Sequence, residues 1–558
     1  MVALGKGFVT IARDQVHYRY CGRGPLLVML HDSARSSLQH AASMEWLGEH
    51  FTVVAPDLPG CGNSTPLPVG QQTVPDYAAA LATTLAALGV ERCLLYGNHA
   101  GAAIALHFAA RHPARVALAV LDGLELHVPD EGPDAPGQEL VKPVPCDDGS
   151  HLAAAWTSVL DAARRGPARV QPGTARPAVA LPDDAALHES ALDLFMADQS
   201  TTDAQRAAMR CDARAAFAHL HVPAVLLDRQ DDPRRRLLDS MPSLPAACRV
   251  VTVDPGAMAS RTQLLGLLRS AQLIGTAWQP PTTDRTAAPG GWQRYVELLH
   301  GALRVRLWND PAQATPVLLL HDVPGGSASL RELATELART RAVIAPDLPG
   351  LGESPPLPYP SLGSYVSTLA EMLEALGVKS LDVLAEGLGT TFAIALAAHR
   401  PGHVRRLLLD GVPMIRSRER RRVAQHYCPP VAPDRHGAYL QRLWHQLRDA
   451  ELSWPWFERA AVAVRSNAPD LDPQRRQGRL LDVMKQLPSY GDAARAALEA
   501  SVRDLLPSVP QPVLLLDVTG DVRYAGTARA ARRLADARIL PRPSGATERA
   551  ELARAFLA

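Results

Sequence analysis

The stretch LLYGNHAGAAIAL, residues 94–106, decides the fold of this sequence. A short apolar run is followed by two glycines that flank three residues and then by an alanine-rich segment. This order predicts a buried strand, a sharp turn and a helix. Turns of the form G-x-S-x-G hold a nucleophilic serine at their tip. Here the frame is G-N-H-A-G, and His99 stands where the serine would be. The turn either serves a different chemistry or has lost its chemistry.

The same frame occurs a second time, because most of the chain is repeated. The run VVAPDLPGCGNS at residues 53–64 recurs as VIAPDLPGLGES at residues 343–354. The run LAALGVERCLLYGNHAG at residues 85–101 recurs as LEALGVKSLDVLAEGLG at residues 373–389. The matched segments keep their order along the chain, which makes a chance match of short apolar runs very improbable. The sequence therefore predicts a tandem duplication.

Each half alternates short apolar strands with helical segments, which predicts an α/β fold with a mostly parallel sheet covered by helices on both faces. We expect a first domain over residues 1–275, a linker rich in Pro, Thr and Gly over residues 276–292, and a second domain over residues 293–558. Helical and Pro-rich segments interrupt the alternation, and they predict inserted lids at about residues 127–221 and 413–510. The two halves are expected to pack on each other as a pseudo-dimer.

Composition narrows the class of protein. The chain has 558 residues, is 47% hydrophobic and 21% charged, and has a formal net charge of +1, as in soluble globular proteins. This balance favours neither a nucleic acid nor an acidic membrane surface as a partner. Seven scattered cysteines without C-x-x-C spacing, and an N-terminus without the apolar run of a signal peptide, predict a cytoplasmic location. Nucleotide- and metal-binding motifs are absent from the sequence, and we expect no cofactor.

The motifs together resemble the α/β-hydrolase superfamily, over nearly the whole chain and twice. The run VHYRYCGRGPLLVMLHD resembles the opening hairpin and third strand of that family, and DLPGCGNS and DLPGLGES resemble its loop after the fourth strand. The resemblance implies a nucleophile on the turn, a late histidine as base, an acid after a strand, and two backbone N–H groups that bind an oxyanion. The positions of this chain that match are the turn residues His99 and Gly387, the acids Asp232 and Asp521, and the N–H groups of Ser33, Ala100, Val323 and Leu388.

Both halves depart from the family at the reacting groups. Histidine is an unusual nucleophile for acyl transfer, and Gly387 has no side chain that could react. The base is missing as well, since no histidine lies between His221 and His300 or after His445. Asp32 and Asp322 follow His31 and His321 where the family usually has glycine. A carboxylate turned inward there would oppose the charge of an oxyanion.

Other histidines are candidates of lower rank. His127 follows the sixth strand and could line a pocket or lie on the surface of the lid. His151 and His436 fall in a repeated lid segment, which predicts that they share a structural role. His31 and His321 are expected to be hydrogen-bonded beneath the site.

Three functions remain open from the sequence. The first is a non-catalytic pair of domains that binds a small apolar ligand beneath the lids or acts as a scaffold. The second is proton-transfer or lyase-type chemistry, or an atypical hydrolysis, in the first domain, with His99 held near Asp232. The third is an ordinary serine esterase, which would need a serine outside the turn frame, such as Ser33, Ser36, Ser37 or Ser150.

Overall fold

The protein is described by a computed structural model. It describes residues 2–70, 72–124, 142–165, 182–197, 201–211, 213–229, 244–253, 257–271, 273, 278–281, 291–312 and 315–558. The chain forms two compact units, Met1–Val144 with Ala154–Asp284, and Pro145–Ala153 with Arg285–Ala558. The domain ends predicted from the sequence stay predictions, and part of the first predicted lid lies outside the described residues.

The first unit is built on an eight-stranded sheet with the order β1-β2-β4-β3-β5-β6-β7-β8. Its strands are β1 (Gly5–Ile11), β2 (Asp14–Cys21), β3 (Leu26–Leu30), β4 (Thr52–Pro56), β5 (Cys93–Asn98), β6 (Val116–Asp122), β7 (Ala224–Arg229) and β8 (Cys248–Val253). The pairs that include β2 are antiparallel and the others are parallel. Its helices are α1 (Ala41–Leu47), α2 (Val74–Ala87), α3 (Ala100–Arg111), α4 (Ser150–Arg165), α5 (Asp184–Met196), α6 (Thr201–Met209), α7 (Ala213–Ala218) and α8 (Ala257–Ser270).

The second unit repeats this sheet in the order β9-β10-β12-β11-β13-β14-β15-β16. Its strands are β9 (Trp292–Leu298), β10 (Gly301–Trp308), β11 (Val317–Leu320), β12 (Val343–Pro346), β13 (Leu381–Glu386), β14 (Val404–Asp410), β15 (Val513–Asp517) and β16 (Ala537–Pro541). Its helices are α9 (Arg331–Leu337), α10 (Leu362–Ala375), α11 (Gly389–His399), α12 (Ser417–Tyr427), α13 (Ala438–Leu452), α14 (Pro473–Met484), α15 (Asp492–Glu499), α16 (Val502–Leu505), α17 (Thr527–Ala531) and α18 (Ala546–Leu557). The helices α12 to α16 form an insertion between β14 and β15. Two α/β folds in tandem are therefore confirmed.

The apolar runs are continuous because both faces of each sheet are covered. In β3, the side chains of Leu26, Val28 and Leu30 belong to one buried cluster. The alternate residues Leu27 and Met29 belong to another. Successive side chains of a strand point to opposite faces, so every residue of β3 is needed to fill a core. None of the helices in the described part of the chain is both long and apolar enough to cross a bilayer.

The strand order places the candidate site. Strand β3 lies between β4 and β5, and all three are parallel. The chain therefore leaves β3 and β5 at the same edge of the sheet, where the direction of winding reverses. Crevices at such points are where α/β folds bind ligands. Here this geometry brings Asp32, after β3, next to His99, after β5.

The aspartate of the DLPG motif ties the loop after β4 to the rest of the first unit. Asp57 accepts hydrogen bonds from the Nδ1 atom of His17 at 2.8 Å and from the backbone N–H of Ser37 at 2.8 Å. The N–H of Asn63 donates to the same carboxylate at 3.0 Å. Gly62 has a φ of +54°, and a Cβ atom there would overlap the Asp57 carboxylate. The second glycine of the motif is thus required by the close approach of that carboxylate.

The second unit keeps this arrangement but replaces the histidine with an arginine. The guanidinium of Arg304 donates to Asp347 at 2.8 Å, and both side chains are buried. The N–H groups of Ser327 and Glu353 also donate to the Asp347 carboxylate, at 2.8 and 3.1 Å. Arg306, two residues along β10, is also buried, but no ion pair of Arg306 is found among the described residues. Burial, together with the charge of Arg304, lowers the pKa of Arg306 well below its ordinary value.

Replacing each of these two arginines by methionine should change the free energy of unfolding differently. Arg304→Met leaves the buried Asp347 charge without its cation and should lower the free energy of unfolding of the second unit by about 3–5 kcal/mol. Arg306→Met removes a buried charge that forms no ion pair with the described residues, so it should cost little or should stabilise the unit. Urea denaturation of both variants measures the difference. Equal losses in the two variants would contradict this account.

Candidate functional site

The turn at His99 has the geometry that the G-x-S-x-G frame predicts. His99 joins β5 to α3 with φ 49° and ψ −109°, a strained conformation for a residue that has a side chain. Its N–H donates to the carbonyl of Asp122 at 2.8 Å. Gly101 is required because a Cβ atom there would lie 2.6 Å from the carbonyl oxygens of Leu30 and His31. The frame is intact although its central residue has changed.

The His99 ring is held against the end of β6. Its Nδ1 atom lies 3.0 Å from the carbonyl oxygen of Gly123, so Nδ1 carries the proton and donates it. This tautomer leaves Nε2 as the basic nitrogen. Gly123 has a φ of +68°, and a Cβ atom there would overlap the imidazole. The His99 ring therefore fits at this position because the residue after β6 is a glycine.

The corresponding turn of the second unit has Gly387 at its tip, with a φ of +54°. Its N–H donates to the carbonyl of Asp410 at 2.8 Å, as the N–H of His99 does to Asp122. The space that a side chain would enter is already filled. A Cβ atom at Gly387 would overlap the carboxylate of Asp322 and the guanidinium of Arg523. Serine cannot replace Gly387 here unless both of these side chains move.

In each unit one aspartate oxygen takes both N–H groups that were expected to bind an oxyanion. Asp322 Oδ1 accepts the N–H of Val323 at 2.8 Å and the N–H of Leu388 at 2.8 Å. Asp32 Oδ1 does the same in the first unit. It accepts the N–H of Ser33 at 2.7 Å and the N–H of Ala100 at 3.2 Å. The predicted donors thus converge on one point, and a carboxylate of the protein occupies it.

An ion pair secures this carboxylate in the second unit. Arg523 pairs with the other oxygen of Asp322, and its guanidinium lies 5.8 Å from the ring centre of Trp454. Burial alone would raise the pKa of Asp322. The charges of Arg523 and Arg479 and the two backbone N–H groups outweigh burial, and the pKa falls below its ordinary value. Asp322 is therefore ionised at neutral pH and holds its place as an anion. The sequence analysis did not single out Arg523, which lies two residues after the predicted acid.

The predicted acid of the second unit holds the loop that carries Arg523. Asp521 Oδ1 accepts the N–H of Arg523 at 2.8 Å, and its Oδ2 accepts the N–H of Asn467 at 3.1 Å. Arg465 lies 3.5 Å from the same Oδ2 atom. Asp521 is buried and fixes the loop that carries Arg523. In the family, the acid at this position orients a histidine. The predicted acid of the first unit, Asp232, lies outside the described residues.

The acids that end the sixth strand of each unit are also paired with arginines. Asp122 accepts two hydrogen bonds from Arg229, at 2.7 and 2.6 Å, and one from the hydroxyl of Tyr96 at 2.6 Å. Asp410 accepts from Arg542 at 2.7 Å and from the hydroxyl of Tyr524 at 2.5 Å. Asp122 thus links β6 to its neighbours β5 and β7, and Asp410 links β14 to the segments that follow β15 and β16.

His31 and His321 lie beneath the two sites and are buried. The Nδ1 atom of His31 donates to the carbonyl of Asp32 at 2.6 Å, and its Nε2 atom accepts the N–H of Leu58 at 2.8 Å. His321 makes the matching bonds to the carbonyl of Asp322 at 2.8 Å and from the N–H of Leu348 at 3.0 Å. Burial lowers the pKa of both rings, so both are neutral and fix the loops that carry the two aspartates.

The lid histidines do not share a role, and that prediction is wrong. His151 is buried, with its Nε2 atom 3.0 Å from the side-chain oxygen of Gln477. His436 is exposed just before α13, where its N–H donates to Asp434 at 3.0 Å. The two rings do not occupy matching positions, because the repeat aligns Gly149 with Gly437 and therefore His151 with Tyr439. His127 lies outside the described residues.

Gly387→Ala tests whether the turn of the second unit is filled. The new Cβ atom meets Asp322 and Arg523 at a positive φ, so the unit should lose about 2–5 kcal/mol of unfolding free energy. Gly402→Ala is the matched control, because no atom lies within 4 Å of a Cβ atom built there. It should change the same quantity by less than about 1 kcal/mol. If thermal unfolding does not separate the two variants, the turn is open.

Comparison with known proteins gives the family. A family model for the alpha/beta hydrolase fold matches residues 25–143 and again residues 315–428. The chain is 35% identical over 119 residues to a 2-hydroxy-6-oxo-2,4-heptadienoate hydrolase of Pseudomonas putida, a match that covers 20% of this chain and 43% of that protein. It is also 35% identical over 124 residues to a 2-hydroxymuconate semialdehyde hydrolase of Pseudomonas putida, covering 21% and 42% of the two chains.

The chain therefore spans less than half the length of these curated relatives. Among solved structures, the enol-lactonase of Burkholderia xenovorans LB400 matches with 18% identity and a TM-score of 0.35, over 47% of this chain and 97% of that one. The family model fits the same part of each half, from the third strand through the turn and beyond the sixth strand. Both halves of the chain thus have the α/β-hydrolase fold, and residues 25–143 and 315–428 match the model of that family.

Proposed function

We propose that the protein is a pseudoenzyme, a tandem pair of α/β-hydrolase folds that does not hydrolyse esters and acts in ligand binding or as a scaffold. The observation that carries the proposal is the occupation of both oxyanion-binding positions by Asp32 and Asp322. Hydrolysis by the family's route stabilises a developing negative oxygen with these N–H groups, and the loss of one such donor costs on the order of 10²–10³ in rate. Here both donors of each unit are already bonded to a carboxylate.

The charge of that carboxylate makes the loss larger. An ester oxygen that entered the position would have to displace Asp322 from two N–H groups and from Arg523. If the carboxylate stayed nearby, it would repel the developing charge, and the repulsion would be strong because the site is largely shielded from water. The turn of the second unit also has no nucleophilic side chain. The occupied N–H groups, the negative charge beside them and the missing nucleophile act together. A single substitution would therefore not restore hydrolysis.

The inserted helices support a small apolar ligand as the binding partner in the second unit. Tyr427, on α12, lies with its ring centre 5.2 Å from that of Trp454, and Trp454 in turn lies against Arg523. Aromatic side chains of this kind supply most of the contact area in small-molecule sites.

The proposal includes a cytoplasmic location, supported by seven cysteines that are all free thiols.

A fluorophosphonate probe tests the pseudoenzyme directly. The full chain should show no serine labelling and no turnover of p-nitrophenyl butyrate, because the turns hold no serine and the oxyanion positions are filled. An active serine esterase treated in the same way is the control. Labelling of any serine, with turnover that the label abolishes, would overturn the proposal in favour of an ordinary esterase.

A second candidate function applies to the first unit alone, and the His99 geometry favours it. The ring is partly exposed at the tip of a strained turn, and its Nδ1 proton is fixed on the Gly123 carbonyl, which leaves Nε2 as a base. An imidazole so oriented can move a proton without forming an acyl-ester. The second candidate is therefore proton transfer or a lyase-type reaction at His99, with Asp232 as the predicted partner.

Proton exchange measures this candidate separately from hydrolysis. Carbon acids such as β-keto esters and cyclic diketones are incubated with the protein in D₂O, and deuterium incorporation is followed by NMR. If His99 is the base, His99→Ala should reduce exchange at least tenfold, a typical contribution for a general base. His112→Ala is the control, since His112 ends α3 away from the turn. Exchange that is equal in both variants, or absent in the wild-type chain, would leave the pseudoenzyme as the function of both units.

A further inference from the structure

A cavity of about 770 Å³ lies in the second unit and belongs to no part of the site described above. Its walls come from the segment after β14, from the connection between α15 and α16, and from α17 and the residues that follow it. Neither Asp322, Gly387 nor Arg523 lines it. Its volume falls in the range of about 300–1,000 Å³ that is usual for small-molecule sites.

The walls of this cavity carry five positive charges. The charged side chains that line it are Arg416, Arg503, Arg529, Arg532 and Arg533. None of the described residues lining the cavity is acidic, and no ion pair of these arginines is found within the described part of the chain. Arg529 donates one hydrogen bond to the carbonyl of Met414 at 3.3 Å. The five arginines therefore come from three separate segments and line one space, and the described lining contains no acidic side chain.

A neighbouring cavity is lined by acidic side chains, so their absence is particular to the arginine-lined cavity. That cavity, of about 390 Å³, shares Ala500 and Ser501 with the arginine-lined one. Its charged lining residues are Asp492, Arg495, Glu499 and Asp504. The acidic side chains of α15 and α16 thus lie on one side of their connection, and Arg503 lies on the other.

Arginine chemistry indicates the kind of ligand. Five like charges around one space repel one another, and an anionic ligand removes this repulsion. The planar guanidinium binds phosphate oxygens with two parallel hydrogen bonds, which makes arginine a favoured residue for phosphate recognition. A single phosphate carries only about two charges at neutral pH, less than the site offers. Met414, Ile415 and Val502 add an apolar wall that phosphate alone would not use.

We propose that this cavity binds a small organic diphosphate or polyphosphate. The linked phosphates lie among the five arginines, and the organic part lies against Met414, Ile415 and Val502. The site is separate from the blocked turn, so it gives the second unit a binding function that does not depend on the proposed loss of hydrolysis.

Calorimetric titration of the full chain with phosphate, pyrophosphate and ADP at constant ionic strength tests this site. Pyrophosphate should bind at least about tenfold more tightly than phosphate, because it reaches more guanidinium groups. ADP should bind more tightly than pyrophosphate, because its base and sugar cover the apolar wall. The double variant Arg503→Glu and Arg532→Glu should weaken both ligands at least tenfold.

Two exposed arginines outside the cavity provide the matched control. The double variant Arg400→Glu and Arg538→Glu makes the same change in net charge and should alter the affinities less than about twofold. Both arginines are exposed, and neither lines the cavity. Circular dichroism shows that each variant is folded. Absence of pyrophosphate and ADP binding, or equal weakening in the two double variants, would overturn the proposed site.

Discussion

The structure of both sites depends on one interaction, the hydrogen bonding of an aspartate oxygen to two converging backbone N–H groups. These donors belong to the residue after the third strand and to the residue after the turn tip. The fold produces their convergence, because β3 and β5 are parallel neighbours that end at one edge of the sheet. In an active member of the family the position would be kept for substrate. Here Asp32 and Asp322 accept the hydrogen bonds of these donors, and the buried His31 and His321 hold the loops that carry them.

The second unit has built further contacts around this interaction. Arg523 takes the remaining oxygen of Asp322, Asp521 holds the loop of Arg523, and Gly387 leaves the space that the ion pair fills. Asp521, at the position of the family's acid, makes structural contacts, and Gly387 at the turn tip has no side chain. The first unit keeps a side chain at the turn, and Gly123 leaves the space that the His99 ring occupies. The two halves share a frame and have diverged at its centre.

Much of the fold could be predicted from local patterns. The continuous apolar runs predicted buried parallel strands, and the repeated DLPG motif predicted a loop that the structure ties down through Asp57 and Asp347. The resemblance to the family predicts the N–H groups of Leu388 and Val323 as donors, the first from the turn and the second from the loop after the third strand. Backbone geometry is predictable in this way because it follows from strand order and from glycine positions.

The side chains that fill the site could not be predicted from the same patterns. Arg523 meets Asp322 across 201 positions of sequence, and nothing local to either residue specifies the pair. The direction of a carboxylate depends on which donors and cations surround it in three dimensions. His151 and His436 differ for another reason, since they do not occupy matching positions of the repeat: Gln477 and Trp444 contact the first ring, and the second ring is exposed.

A crystal structure of the full chain, at a resolution that separates carboxylate oxygens, measures the central interaction most directly. The account predicts electron density for one Asp322 oxygen within hydrogen-bond distance of the N–H groups of both Val323 and Leu388, with no water between them. The Asp32 carboxylate should occupy the matching place in the first unit. A water molecule or a bound anion on those N–H groups, with the aspartate turned away, would contradict the account, because the oxyanion position would then be open to substrate.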